Sequence, residues 1–286
     1  MSLFRPGLIG YAPRLLLDKL RTPPGIAYGP SRLLSMDDRG PAMLITRSSD
    51  GTTDAIGYKN GLFDSASALA FCGGSTGTVA ALYNKGTLGA SGNAMQSTVA
   101  NQPVIVSAGV LETQNGKPAI YFNGGQILRT ATIQAVGATG MWLSNAVAQT
   151  ANGAQQSILS QDSGGGFTRI AQLLNFNASN IDGIAFGTPN LYSAGQSGGT
   201  VLQTMSVIQN NSIAQAFVNG VGGTVTNESN TSFANGPNDL TIGAADFGQN
   251  VTGYISEAMV FSSVNFSDRA TIEINQAQFY SIAGVI

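Results

Sequence analysis

Short β-prone runs, each closed within a few residues by Gly or Asn, recur along the chain after residue 25. Such runs cannot grow into long helices, because Gly and Asn supply the positive-φ turns that reverse a strand. Ala42-Met43-Leu44-Ile45-Thr46-Arg47 and Asp54-Ala55-Ile56-Gly57-Tyr58 flank Ser49-Asp50-Gly51-Thr52, a hairpin with Asp-Gly in its turn. Thr78-Val79-Ala80-Ala81-Leu82-Tyr83 closes at Asn84, and Ile120-Tyr121-Phe122 closes at Asn123-Gly124-Gly125. Ala214-Gln215-Ala216-Phe217-Val218 turns at Asn219-Gly220 into a second strand near Val225. Leu240-Thr241-Ile242 and the run from Tyr254 to Phe261 continue the pattern, which reads as a sandwich or jelly roll.

Two helices interrupt it. Asp64 or Ser65 caps a short one through Phe71, stopped by Gly73-Gly74. A second starts after Ser267 and runs toward Ile282, with Ile272, Ile274, Ala277 and Phe279 near helical spacing. Segments 160–200 and 219–238 are rich in Gly, Ser and Asn and read as long surface loops. No fixed-period repeat is present.

Composition removes whole classes of chemistry. Histidine is absent, so Ser-His-Asp and Cys-His catalysis and imidazole metal sites are excluded. Cys72, the lone cysteine, precludes an intramolecular disulfide; within Leu69-Ala70-Phe71-Cys72-Gly73 it reads as a buried, inert thiol. A formal net charge of −2, with no basic cluster, argues against nucleic acid as a partner. No window approaches the length of a membrane helix, so no membrane insertion is expected, and the start shows no export signal.

Residues 1–25 differ from the rest. They hold Arg5, Arg14, Lys19 and Arg21, the apolar side chains Phe4, Leu8, Ile9, Tyr11, Leu15, Leu16 and Leu17, and four prolines that break any helix. An apolar, basic, Pro-broken segment reads as an extended docking arm. Two parts follow: an arm over 1–25 and a sandwich domain over 26–286. On that reading, deleting the arm leaves a folded domain.

The stretch from about Ala27 to Phe122 resembles the catalytic module of fungal arabinofuranosidase B and its relatives in phage proteins. The resemblance rests on Tyr28 to Leu33-Leu34, Gly40-Pro41-Ala42, Arg47-Ser48-Ser49-Asp50-Gly51 and Asp54-Ala55-Ile56-Gly57-Tyr58. It extends through Leu69-Ala70-Phe71, Ala100-Asn101-Gln102-Pro103 and Asn115-Gly116-Lys117-Pro118-Ala119. The remainder is similar to concanavalin A-like or laminin-G-like jelly rolls, on Ala216 to Gly220, Leu240 to Gly243, Gly253 to Phe261 and the terminal helix with Arg269, Ile272, Glu273 and Tyr280. The resemblance implies one all-β, concanavalin A-like sandwich. It also implies a phage virion protein, a tail fibre, adhesin or head decoration, assembled in the host cytoplasm. The arm would anchor it to other virion proteins, a trimer would be the expected oligomer, and host surface polysaccharide a partner. A departure stands against hydrolysis: relatives carry Tyr-Asp-Gln-Ser-Gly where this chain reads Tyr83-Asn84-Lys85-Gly86, and the fungal enzyme's disulfide cysteines are missing.

A retaining glycosidase needs two carboxylates about 5 Å apart. The chain has four Glu: Glu112, Glu228, Glu257 and Glu273. Glu257 lies in a strand facing a cleft or solvent, Glu228 in a solvated loop, and Glu273 on the terminal helix, with Asp268 in that helix's first turn. None is assigned a catalytic role, and the expectation is a non-enzymatic protein without cofactor or metal. A hairpin turn accounts for Asp50 and Asp54 without a calcium ion. An arabinofuranosidase-like hydrolase and a glycan-binding module, for which Trp142, Tyr192 and Tyr254 are available, are the competing readings.

Overall fold

The computed structural model describes residues 15–38, 40–131, 141–150, 154–162, 169–176, 181–187, 191–197, 200–209, 213–227, 239–245 and 249–285. The principal strands in chain order are β1 (Ile26–Tyr28), β2 (Met43–Arg47), β3 (Thr53–Ile56), β4 (Gly77–Leu82), β5 (Ala94–Met95) and β6 (Val104–Ser107). They continue with β7 (Ile120–Asn123), β8 (Leu128–Arg129), β9 (Met141–Gln149), β10 (Gln156–Asp162), β11 (Arg169–Phe176) and β12 (Ile181–Gly187). The last are β13 (Leu191–Ser197), β14 (Gln203–Gln209), β15 (Ile213–Val218), β16 (Leu240–Ile242) and β17 (Thr252–Phe261). The helices are α1 (Ser65–Cys72) and α2 (Phe266–Tyr280).

These strands form an antiparallel sandwich. In the first sheet β17 is the spine: β1 and β7 pair along one edge, at Ile26↔Val260 and Ile120↔Ile255, and β9, β14 and β15 follow on the other. The second sheet runs β3-β2-β4-β5-β8-β16-β10-β11-β12-β13. Strand β6 pairs with both β4 and β7, so the sheets are stitched together along one side.

Alternation places the inner face. Ile45, Val79, Ile105, Phe122, Leu143, Val147, Val207, Ile242 and Val260 are fully or nearly fully buried in one cluster between the sheets. Asn145 donates through this core to Gln172 on the opposite sheet, and Gln172 donates to the Met205 carbonyl at 3.1 Å, while the buried Asn145 Oδ1 has no partner among the described residues.

The first sheet also buries its outer face. Leu16, Leu34, Trp142, Ile208, Met259, Phe261 and Ile272 form a second cluster beneath α2. Trp142 and Phe261, cross-strand partners, stack with ring centroids 4.0 Å apart. Helix α2 begins because Asn265 accepts the N–H groups of Ser267 and Asp268, and ends where Ser281 turns left-handed at φ 54°.

The all-β sandwich and both helices match the sequence reading. The Asp64 carboxylate accepts the Ser67 N–H at 3.1 Å, and Gly73 at φ 58° follows α1. Asp50 pairs with Arg47 and accepts from Thr52 across the Asp-Gly turn. Two expectations are corrected. Within 160–200, read as loop, lie β11, β12, β13 and the end of β10: pairing with neighbours outweighs the weak intrinsic preference of Gly, Ser and Asn.

The second correction concerns the arm. Leu16 is 2% exposed inside the cluster under α2, and Leu17 packs against the same cluster and donates to the Leu34 carbonyl at 2.9 Å. Leu15 is half-buried, its N–H donated to Asp18. Leu16 and Leu17 cover the apolar outer face of this chain's own first sheet. Phe4, Leu8, Ile9 and Tyr11 lie outside the described residues.

Candidate active site

Glu257, the strand carboxylate, is fully buried. Arg32 grips it from Nε at 2.8 Å and Nη2 at 3.2 Å. Gln276 donates to Oε1 at 3.0 Å and the Tyr280 hydroxyl lies 3.3 Å from Oε2. Arg32 also reaches the Asn275 side chain at 2.7 Å and stacks 4.3 Å over Phe279. Burial and the Glu257 charge push the Tyr280 phenol well above its ordinary range, so it stays protonated. The carboxylate therefore bolts α2 to β17 and to the turn after β1. It faces neither cleft nor solvent, which corrects the sequence reading, and no sugar can reach it.

Glu273, also under α2, is 2% exposed and paired with Arg269, whose guanidinium lies 3.8 Å over the Phe217 ring. Burial raises its carboxyl above the usual Glu value, against the pull of Arg269. The folded state thus binds this proton more tightly than the unfolded chain. Its contribution is fully present below the unfolded-state value and is lost as pH rises through the folded-state one. The expected result is that Glu273→Gln, unfolded by urea at a series of pH values, loses that part of the stability decline that sets in as pH rises above the ordinary Glu value. Identical pH slopes in the two proteins would show that the burial is inconsequential.

Two cavities open at the surface. One, of about 480 Å³, is lined by Leu33, Asp38, Gly40, Pro41, Ala55 and Tyr58 among others. Its Asp38 is held by the Lys85 ammonium at 2.8 Å; the same ammonium donates to the Pro41 carbonyl at 2.7 Å and is 5.5 Å from the Tyr58 ring centre. The Tyr58 hydroxyl donates to Gly29 at 2.9 Å. These groups tie the 36–41 loop to the turn after β4 and are absorbed by that task. Neighbouring Asn84, where the related modules carry Asp, is a backbone staple: its Oδ1 accepts the N–H groups of Ala27 and Gly86, and its Nδ2 donates to Gly25 and Gly89.

The other cavity, about 450 Å³, is a groove on the second sheet's outer face. Leu44, Ala80 and Met95 form an apolar floor; Gln96, Ser97, Gln102 and Arg129 supply the polar lining. Met95 is 58% exposed, large for a side chain with no part in the core. Gln102 is fixed by Thr78 at 2.6 Å and by the Gln96 carbonyl at 2.7 Å. At one end Arg129 holds Asp239 at 2.7 Å, both side chains about a third exposed. Register places a second carboxyl-bearing residue next door. Arg129 pairs with Thr241, Thr241 with Ser160, and Leu240 with Gln161. Asp239 directly precedes β16, and Asp162 ends β10 just past Gln161, the partner of Leu240; the Asp162 backbone is in register with Arg169 on β11.

Several other described carboxylates serve local structure. Asp18 accepts from Leu15, Ser35 and Met36; Asp268 accepts the N–H groups of Arg21 and Thr22; Asp64 caps α1. Asp50 is held down in pKa by Arg47 and Thr52 in its exposed turn. Asp54 is exposed and accepts its neighbour's N–H. Glu112 meets the Tyr254 hydroxyl on the far sheet. Glu228 lies outside the described residues, as does the side chain of Tyr192. The groove was not read from the sequence, because its members come from six separate segments; the cross-strand offset of Asp162 and Asp239 has no sequence signature.

No protein-family model and no curated protein matches the chain. Solved structures do. An arabinofuranosidase complexed with arabinofuranosyl-α-1,2-xylobiose superposes with a TM-score of 0.71 at 17% identity, covering 89% of this chain and 62% of the other. A GH54 α-L-arabinofuranosidase soaked with a cyclic sulfate inhibitor gives 0.67 at 15% identity with the same coverage. A GH54 variant soaked with 4-nitrophenyl α-L-arabinofuranoside gives 0.68 at 15%. The chain thus spans about three fifths of the length of these enzymes and shares their sandwich. This overturns the expectation of a non-enzymatic virion structural protein: the fold that fits the chain over 89% of its length is that of glycoside hydrolases.

Proposed function

We propose that the chain is a glycoside hydrolase that works in the groove on the second sheet, with terminal arabinofuranosyl groups as the substrate class. The observation that carries this reading is the groove itself: an apolar floor and amide rim, ending on an arginine-held carboxylate, in a fold shared with arabinofuranosidases. The sugar's C–H face would lie on Met95 and Leu44, and its hydroxyls would meet Gln96 and Ser97.

Directly opposed residues on antiparallel strands have Cβ atoms about 4.5–5.5 Å apart. A retaining reaction uses carboxyl groups about 5–5.5 Å apart, a separation that aspartates on neighbouring strands can reach. Asp239, held by Arg129, attacks the anomeric carbon. The bond to the leaving oxygen breaks, and Asp162 gives that oxygen its proton. Water, deprotonated by Asp162, then cleaves the glycosyl ester and returns both groups to their starting forms.

The test is release of 4-nitrophenol from 4-nitrophenyl α-L-arabinofuranoside. Wild type is expected to turn over, with Asp239→Asn and Asp162→Asn each lowering kcat at least about 100-fold. Glu257→Gln, assayed where it is still folded, is expected to keep its kcat. An inactive wild type, or an Asp239→Asn variant as active as wild type, overturns the assignment.

A further inference from the structure

The outer face of the first sheet carries a tyrosine pair at the border of α2, where Tyr254 packs against the cluster of Ala277 and Tyr280. Tyr121 and Tyr254 are direct cross-strand partners on β7 and β17, and their rings sit 4.9 Å apart, tilted by 41°. Both are half-buried, with Ile120, Phe122, Gly253 and Ile255 alternating into the core beside them. Two residues further along, Asn123 and Thr252 form the next pair on the same face. The Tyr254 hydroxyl donates to Glu112 Oε2 at 3.1 Å; Oε1 has no partner among the described residues. The result is a strip about 7 Å long between pairs, with two ring faces and a carboxylate at one end and an amide and a hydroxyl at the other.

This combination has a specific ligand chemistry. A core-facing tyrosine pair would bury its hydroxyls. Here ring surfaces capable of packing on C–H groups lie beside a carboxylate, an amide and a hydroxyl that can accept from and donate to sugar hydroxyls. Burial and the neighbouring Glu112 push the Tyr254 phenol up to about 12, so it remains a neutral donor that orients the carboxylate.

We propose that Tyr121, Tyr254, Glu112, Asn123 and Thr252 form a surface site for a neutral pentose polysaccharide, separate from the groove and on the opposite sheet. The choice of a pentose polymer rests on the hydrolase reading; the site's geometry does not. Such a site would hold the polymer while the groove acts on its side groups, raising the local substrate concentration.

The test is affinity electrophoresis of the full chain in native gels containing soluble arabinoxylan, using Asp239→Asn so that the polymer is not consumed. Retardation is expected, with Tyr121→Ala/Tyr254→Ala weakening the apparent affinity about tenfold or more. Glu112→Gln and Tyr254→Phe, which disturb the surface least, are expected to weaken it by smaller factors. Retardation of the double variant equal to that of its parent overturns the proposal, as does a parent that migrates unretarded. A wild-type chain with no turnover but tyrosine-dependent retardation would reject the groove assignment and keep this site. Turnover of the small aryl glycoside without retardation would do the reverse.

Discussion

Replacing Glu257 by alanine is expected to destabilise the chain by about 3–5 kcal/mol, measured by urea unfolding at pH 7. The size follows from what the substitution strands. Arg32 would keep its charge with about a tenth of its side chain exposed, and the Gln276 amide and Tyr280 hydroxyl would each lose an acceptor in a site without solvent. Arg32→Ala strands the carboxylate instead and is expected to cost a similar amount. Removing both partners with apolar residues of matching volume, Arg32→Met with Glu257→Leu, should recover much of the loss, since desolvation offsets most of a buried pair's attraction. Single-variant losses below about 1 kcal/mol would show that the network is dispensable.

Leu16→Ala is expected to cost about 2–5 kcal/mol, the range for a truncated core leucine. The side chain is 2% exposed between Leu34, Ile272 and the first sheet's outer face. The segment around it is pinned at several points. Asp18 collects Ser35 and Met36, Asp268 collects the N–H groups of Arg21 and Thr22 at 2.8–3.1 Å, and the Gly25 N–H reaches the Val260 carbonyl at 3.0 Å. Deleting residues 1–25 is accordingly expected to give an unstable protein that is rapidly cut by protease, rather than the intact domain an appended arm would leave. A protease-resistant deletion with unchanged melting would return the segment to the status of an arm.

Legibility from sequence divided along a physical line. The hairpin around Asp50-Gly51, the Asp64 cap and the terminal helix are local, settled by residues within a few positions, and all read correctly. Trp142, available to a glycan on sequence grounds, is fully buried and stacked on Phe261. Strands β11 to β13 were not legible, because their Gly, Ser and Asn content carries no periodicity; only the partners on either side make them strands. The apolar character of Leu15-Leu16-Leu17 was plain, but what they cover is set by contacts hundreds of residues away. The same holds for Arg32 with Glu257, 225 residues apart, and for Arg129 with Asp239, 110 apart. The sandwich and its sugar-enzyme resemblance could be read; the fate of each carboxylate could not.

The spine of the first sheet has a bearing on biosynthesis. Strand β17 borders β1, β7 and β9, all of which are translated before it. Until the ribosome has released residues 252–261, β1 and β7 lack their main hydrogen-bonding neighbour, and the first sheet has no spine. The nascent chain must therefore carry exposed, aggregation-prone strand edges until β17 emerges. A stop anywhere before Thr252 leaves the first sheet without the strand that joins its two halves.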